Sequence, residues 1–171
     1  MIEGPFSTIT IRPAASADAS ILGRLGALLV TLHHDFDPTR FIAPTQRTPD
    51  LYAAFLDTQR QREDAIVLVA ESEGMVAGYT YATLDGNDFM ALRGPAGVLH
   101  DLIVDPAHRR QGIGRLLAEA ARAELTSKGA PRLVLSTAAK NEAARRLFEA
   151  LGFRATMIEM TVDMEPAKII T

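Results

Sequence analysis

Apolar and polar positions along the chain switch between two periods, and the switches mark the elements. Residues 7–13, "STITIRP", alternate and are β-branched, which predicts a first strand. After Asp18, a capping residue type, Ile21, Leu25, Leu28 and Leu32 recur at helical spacing, with Leu22 and Leu29 beside them. That pattern stops in "HHDFDP", where Pro38 closes the segment. "TPDLYAAFLDTQRQR" opens a second helix, with Thr48 as cap, Pro49 in the first position and Asp50 in the first turn. "AIVLVAES" and "MVAGYTYATL" return to strand character on either side of Glu73 and Gly74, the pattern of a tight hairpin. A polar loop, "DGNDFMALRGP", leads into "GVLHDLIV", a fourth strand. Residues 113–128 then read as a helix with Ile113, Leu116, Leu117 and Ala120 on one face, ended by Gly129 and Pro131. "RLVLST" is a fifth strand, Asn141 caps "EAARRLFEAL", Gly152 ends that helix, and "FRATMIEMTVDM" predicts a last long strand.

The order β-α-α-β-β-β-α-β-α-β implies an α/β fold: a mixed, mostly antiparallel twisted sheet with helices on both faces. The strand–helix–strand passage over residues 97–137 is expected to be a parallel crossover. At 171 residues the chain suits one domain, taken as 1–171, with a full core. A net charge of −3 gives no general affinity for nucleic acid, so none is expected as a partner and any basic patch has to be local. The absence of cysteine excludes disulfides, thiolate metal sites and a cysteine nucleophile. "MIEGPFSTIT" lacks the basic and apolar regions of a signal peptide, and no run approaches the roughly 18 apolar residues of a membrane span. A cytoplasmic protein with no membrane partner is the expectation.

One stretch changes the picture. "RRQGIGRLL", residues 109–117, places Arg109, Arg110 and Arg115 around Gly112 and Gly114 where an apolar helix begins. A helix start carries unpaired N–H groups and the positive end of the dipole, so it attracts anions. Glycines there allow a diphosphate to approach the backbone. A P-loop needs G-x-x-x-x-G-K-[ST], which is absent. A dinucleotide fingerprint wants a third glycine where Leu117 stands, and its first glycine directly after the strand, where "DPAHRRQ" intervenes. Coenzyme A, with its diphosphate and ribose phosphate, suits the cluster. The plain alternative is that the glycines relieve crowding while the arginines are solvated.

"LIVDPAHRRQGIGRLL" resembles the signature of the GNAT (general N-acetyltransferase) superfamily, R/Q-x-x-G-x-G/A after a strand and a V-x-P-like step, filled here by Arg109, Gly112 and Gly114 after Val104 and Pro106. "NEAARRLFEALGF" is similar to the family's second motif through Asn141, Ala144, Leu147, Phe148, Gly152 and Phe153. The resemblance implies an enzyme that transfers an acetyl group from acetyl-CoA, without a metal, to an amine of a small molecule or an exposed protein amine. It places the co-substrate in a cleft between splayed fourth and fifth strands. Pantetheine would pair with backbone at Leu102, Ile103 and Val104. Arg109, Arg110, Gln111, Gly112, Ile113, Gly114 and Arg115 would hold the pyrophosphate, largely through main-chain N–H groups. Asn141 and Phe148 would contact the pantetheine arm, and Arg145 could reach a phosphate or face solvent. Dimers are common in the family, so a homodimer is compatible with it.

Acetyl transfer needs an unprotonated amine, a polarised thioester carbonyl and a departing thiolate. Many family members carry a tyrosine in the second motif as acid toward that thiolate; Phe148 stands there and has no proton to give. This departure keeps open a module that binds or senses acyl-CoA without turnover. Tyr79 or Tyr81 could supply a hydroxyl, although core packing is the expected task of each. His100 is the candidate base: its ordinary pKa near 6.5 suits proton uptake at neutral pH, and arylalkylamine acetyltransferases of the family carry a histidine at this offset. Strict alternation puts it on one face with Leu102 and Val104, and Asp101 on the opposite face in a structural role. A bulge or broken ladder is expected near Leu102. His33, His34, Asp35 and Asp37 match no metal signature and are read as a polar, substrate-facing loop. The acids Asp35, Asp37, Asp85 and Asp88 would favour a cationic acceptor.

Overall fold

The computed structural model describes residues 8–164. Its elements are β1 (Ile9–Pro13), α1 (Ala19–Phe36), α2 (Thr48–Gln59), β2 (Ala65–Ser72), β3 (Met75–Asp85), β4 (Ala96–Val104), α3 (Ile113–Ser127), β5 (Leu133–Leu135) and α4 (Glu142–Ala150). The five strands form one sheet in the order β1-β2-β3-β4-β5. The first four pair antiparallel, and β5 runs parallel to β4 after the α3 crossover. Glu73 and Gly74, both at positive φ (53° and 77°), close the β2–β3 hairpin, as a two-residue turn between right-twisted strands requires.

The sheet is covered on both faces. One core joins Leu22 and Leu25 of α1 and Leu56 of α2 to Val67, Val69, Tyr79, Tyr81 and Ile103. The other joins Ile113, Leu117, Ala121 and Leu125 of α3 and Phe148 of α4 to Ile66, Leu68, Ala82 and Leu99. This two-sided burial explains why "AIVLVA" reads as an unbroken apolar run: the odd and even residues of β2 serve different cores.

Two features position the site. First, β4 pairs with β3 along its length but with β5 only through Gly97, Val98 and Leu99. Beyond Leu99 the strands part, so residues 100–104 of β4 have no ladder on the β5 side. Second, the β3–β4 register slips by one residue: Tyr81 lies opposite Asp101 and Ala82 opposite Leu99, which leaves His100 as the extra residue of a bulge.

The predicted last strand is not formed. Gly152, at φ 89°, ends α4, and residues 154–164 carry no ladder and are exposed. Ile158, Met160 and Val162 do alternate with polar residues, but alternation fixes only which side chains share a face. A strand also needs a neighbour, and no strand of the described chain lies beside this one.

Candidate active site

The start of α3 has no side-chain cap: its N-cap, Gly112, is left-handed (φ 78°, ψ 0°). A residue with a Cβ would be strained in that conformation, and the space where a Cβ would stand is open. The helical ladder begins with Leu116 N–H donating to Gly112 O at 3.1 Å. The amides of Ile113, Gly114 and Arg115 therefore precede the ladder and are available to a ligand. Arg110 also has positive φ (64°), which curls the chain just before the helix.

The two glycines of the motif do different work. A Cβ on Gly114 would come within 3.3 Å of Leu147 Cδ2, so this glycine lets α3 pack against α4. At Gly112 the space beside the backbone is open, whereas at Gly114 it is taken by Leu147. The arginines divide as well. Arg109 Nε donates to Val104 O (3.3 Å) at the end of β4, Arg115 pairs with Glu119 (3.3 Å), and Arg110 and Gln111 are exposed. Asn141 caps α4, its Oδ1 accepting from Ala144 N–H at 3.1 Å, while Arg145 is exposed and donates to Ala139 O (3.4 Å). Phe148 is buried against Phe153, with ring centroids 5.5 Å apart. Leu102 and Val104 are half-buried on the α3 side, and Ile103 is buried on the other.

The bulge corrects the expected position of His100. Its ring stacks on Tyr81 (centroids 4.9 Å apart, 24° between planes), so it stands on the face of Tyr81 and Asp101, away from Leu102 and Val104. The extra residue shifts the alternation, and His100 and Asp101 come to share one pocket. That pocket, about 210 Å³, is walled by Leu29 and Val30 of α1, Phe41 and Ile42 of the following loop and Tyr52 of α2, with His33, His100 and Asp101 as its polar groups. Asp101 is buried, and its Oδ2 accepts from the hydroxyls of Tyr52 and Tyr79, each at 2.9 Å. Burial pushes the Asp101 carboxyl above its ordinary range, and the two hydroxyl donors pull it back. Partial burial also lowers the His100 pKa against the pull of the Asp101 and Asp85 charges. His100 Nε2 lies 2.8 Å from Thr83 Oγ1.

Tyr52 and Asp101 are pocket residues that sequence reasoning missed or set aside. One signal for Tyr52 was available: Gly26 lies on α1, and a Cβ there would meet Tyr52 Cδ1 at 2.1 Å, so the glycine marks where the ring crosses. Tyr79 and Tyr81 are buried, their hydroxyls committed to Asp101 and to Gln59 Oε1 (3.1 Å). His33 and His34 lie in the last turn of α1, each with Nδ1 on a carbonyl, of Leu29 (2.9 Å) and Phe41 (3.0 Å). Residues 33–36 are thus helix and not loop. The acids are engaged too: Asp85 and Asp88 share Arg93 (3.2 and 3.5 Å), and Asp37 ties down the turn at Thr39 and Arg40. Of the four acids expected to favour a cationic acceptor, Asp85 and Asp88 are thus paired with Arg93. No described helix is long and apolar enough to cross a membrane.

The chain is similar to known proteins. The model of the acetyltransferase (GNAT) family matches residues 29–153. A mycothiol acetyltransferase of Thermobispora bispora is 34% identical over 96 residues, 54% of this chain and 31% of that protein. A [ribosomal protein bS18]-alanine N-acetyltransferase of Salmonella typhimurium is 32% identical over 104 residues, 61% of this chain and 64% of that one. The chain thus spans about a third of the length of the first relative and under two thirds of the second. Among solved structures, the aminoglycoside N-acetyltransferase AAC(6')-Iy in complex with CoA superposes with a TM-score of 0.73 at 18% identity, covering 97% of this chain and all of that one.

Proposed function

The chain belongs to the acetyltransferase (GNAT) family, and on that footing we propose that it transfers the acetyl group of acetyl-CoA to a primary amine carried on a small, apolar or aromatic body. One observation supports the reading: the edge of β4 has no ladder on the β5 side from His100 to Val104, between the bulge and the uncapped start of α3. A relative with a CoA complex superposes over nearly the whole chain, which supports CoA as the carrier. The amides of Ile113, Gly114 and Arg115, with Arg109 and Arg110 beside them, would hold the diphosphate. Pantetheine would lie along Leu102, Ile103 and Val104 with Asn141 and Phe148 near it, and the exposed Arg145 would meet a phosphate from solvent.

In the reaction, the amine nitrogen attacks the thioester carbonyl, the new C–N bond forms and the C–S bond breaks. The amine's surplus proton passes to His100, directly or through a water, and the CoA thiolate leaves. A thiol pKa near 8.5 lets solvent or the imidazolium reprotonate it, so the absence of a hydroxyl at Phe148 does not stop the cycle. A main-chain N–H on the open edge of β4 would polarise the carbonyl. The acceptor class follows from the pocket, whose walls are apolar and whose polar groups, His100, Asp101 and His33, cluster together. The relatives' names span a thiol compound, a ribosomal protein alanine and an aminoglycoside, so the family alone does not choose the acceptor.

Thiol release from acetyl-CoA tests this directly, with an arylalkylamine, a polyamine, an aminoglycoside and a peptide N-terminus as acceptors. The arylalkylamine is expected to turn over best. Preference for the polyamine or aminoglycoside would refute the acceptor class. A thermal shift with acetyl-CoA but no thiol release with any amine would make the chain a binding module instead.

A further inference from the structure

The pocket does not account for the polar chain behind His100. Thr83 Oγ1 lies 2.6 Å from Asp85 Oδ1 and 2.8 Å from His100 Nε2. Asp85 Oδ2 in turn is 3.2 Å from Arg93 Nη2, and Arg93 also reaches Asp88. A hydroxyl has one proton to donate. A carboxylate oxygen only accepts, so that proton is directed to Asp85. Thr83 Oγ1 then faces His100 with a lone pair, and Nε2 has to be the donor. A neutral imidazole with its proton on Nε2 carries its lone pair on Nδ1.

We propose that Thr83 and Asp85 are positioning residues that fix the tautomer of His100, so that Nδ1 is the nitrogen that takes the proton of the acceptor amine. The inference rests on the reading of His100 as base and goes one step further, to which nitrogen acts and what holds it. Stacking on Tyr81 fixes the plane of the ring, and Thr83 fixes its rotation within that plane. During transfer the neutral amine bonds to the carbonyl carbon, an N–H bond of the nitrogen made cationic by that attack breaks and Nδ1–H forms, while Nε2 keeps its own proton throughout. The imidazolium is stabilised through Nε2–H···Oγ1–H···Oδ1, a charge-assisted chain ending on the Asp85 carboxylate. The charges facing the ring are Asp101 and Asp85, which favour the imidazolium, and Arg62 and Arg93, which oppose it, with His33 across the pocket. The bulge makes this possible. It turns His100 toward the face of β3 that Thr83 shares with Tyr81.

The experiment pairs substitutions with a direct view of the ring. Thr83→Val keeps the shape and removes both the lone pair and the proton; Thr83→Ser restores them. Thr83→Val is expected to lower kcat by about 10- to 100-fold, to move the pKa of the acidic limb of the pH–rate profile downward, and to leave the acetyl-CoA thermal shift intact. Thr83→Ser should return both rate and limb toward wild type. Histidine-selective ¹⁵N spectra of the wild-type protein, which has only four histidines, should show the His100 proton on Nε2 and a bare Nδ1. A proton on Nδ1 would overturn the proposal even if Thr83→Val failed to fold. A Thr83→Val enzyme with unchanged rate and unchanged limb would overturn it too. His100→Gln separates the two readings: if it retains full activity the base assignment falls, whereas if it is inactive beside a fully active Thr83→Val, only the positioning role falls.

Discussion

Replacing Asp101 by alanine and by asparagine gives a measurement in which the dominant uncertainty cancels. The carboxylate is buried, and its Oδ2 is the acceptor for Tyr52 and Tyr79. Both variants remove the charge, so the desolvation cost disappears equally from each and their difference reports the hydrogen bonds. Asparagine keeps an acceptor oxygen in place. Alanine leaves the Tyr79 hydroxyl, in a side chain with no exposure, without a partner, which costs about 1–3 kcal/mol. Tyr52 borders the pocket and can turn to water, so its loss is the smaller, about 0.5–1.5 kcal/mol. Asp101→Ala should therefore be less stable than Asp101→Asn by roughly 2–4 kcal/mol, read as a lower urea midpoint with an unchanged slope. Adding Tyr79→Phe to Asp101→Ala removes the orphaned hydroxyl and should recover at least about 1 kcal/mol of that gap. Equal midpoints for the alanine and asparagine variants would refute the network. The pH sign also follows. The folded carboxyl titrates above its unfolded value of 3.8, so ionisation disfavours the fold. As pH rises above about 3.8, wild type should lose stability relative to Asp101→Asn until the folded group has ionised as well.

Two further outcomes are expected. Gly112→Glu should abolish the acetyl-CoA thermal shift by placing a carboxylate at a positive-φ position in the anion site, whereas Arg110→Ala should only weaken it; an intact shift in Gly112→Glu would place CoA elsewhere. Asp18 accepts from Arg12 (2.7 Å) and from Ala15 N–H (2.8 Å), and the Arg12 hydrogen bond holds its carboxyl below the usual range. Its contribution is therefore present above pH ~3.8 and lost as pH falls through the folded pKa, so the stability gap between wild type and Asp18→Asn should close as pH falls below about 3.8; a pH-independent gap would count against it.

What was legible in the sequence is what local pattern encodes. The hairpin at Glu73 and Gly74, the Asn141 cap and the limits of α3 depend on residues within a few positions of one another, and they fall where the pattern puts them to within a residue or so. The α2 start shows the size of the slip. Arg47 occupies the cap position, and Thr48 Oγ1 instead accepts from Thr45 N–H at 2.8 Å. What was not legible depends on partners. The face of His100 is set by a one-residue slip against β3; the bulge expected near Leu102 comes from the resemblance and not from the pattern of "GVLHDLIV", and it falls at His100. Asp101 reads as structural because its partners, Tyr52 and Tyr79, are 49 and 22 residues away. Gly114 reads as part of an anion loop, although its neighbour is Leu147 on another helix.

In the proposed reaction the bulge at His100 lets one strand serve two ligands. Without it, β4 would alternate strictly, and a histidine two residues before Leu102 would lie with the α3 core, remote from the pocket between α1, α2 and the sheet. An extra residue rotates everything on the N-terminal side of the slip by one position relative to β3. Leu102 and Val104 keep their places toward α3, while His100 joins Asp101 and Tyr81 on the other face. The ladder to β5 ends at Leu99, one residue before the bulge, so the main-chain edge of β4 opens where the imidazole changes sides. In the proposed reaction, thioester and amine have to meet from different directions, one along the open edge and one from the pocket. A regular strand offers its edge and its face at separate residues, and the bulge brings the two together at His100.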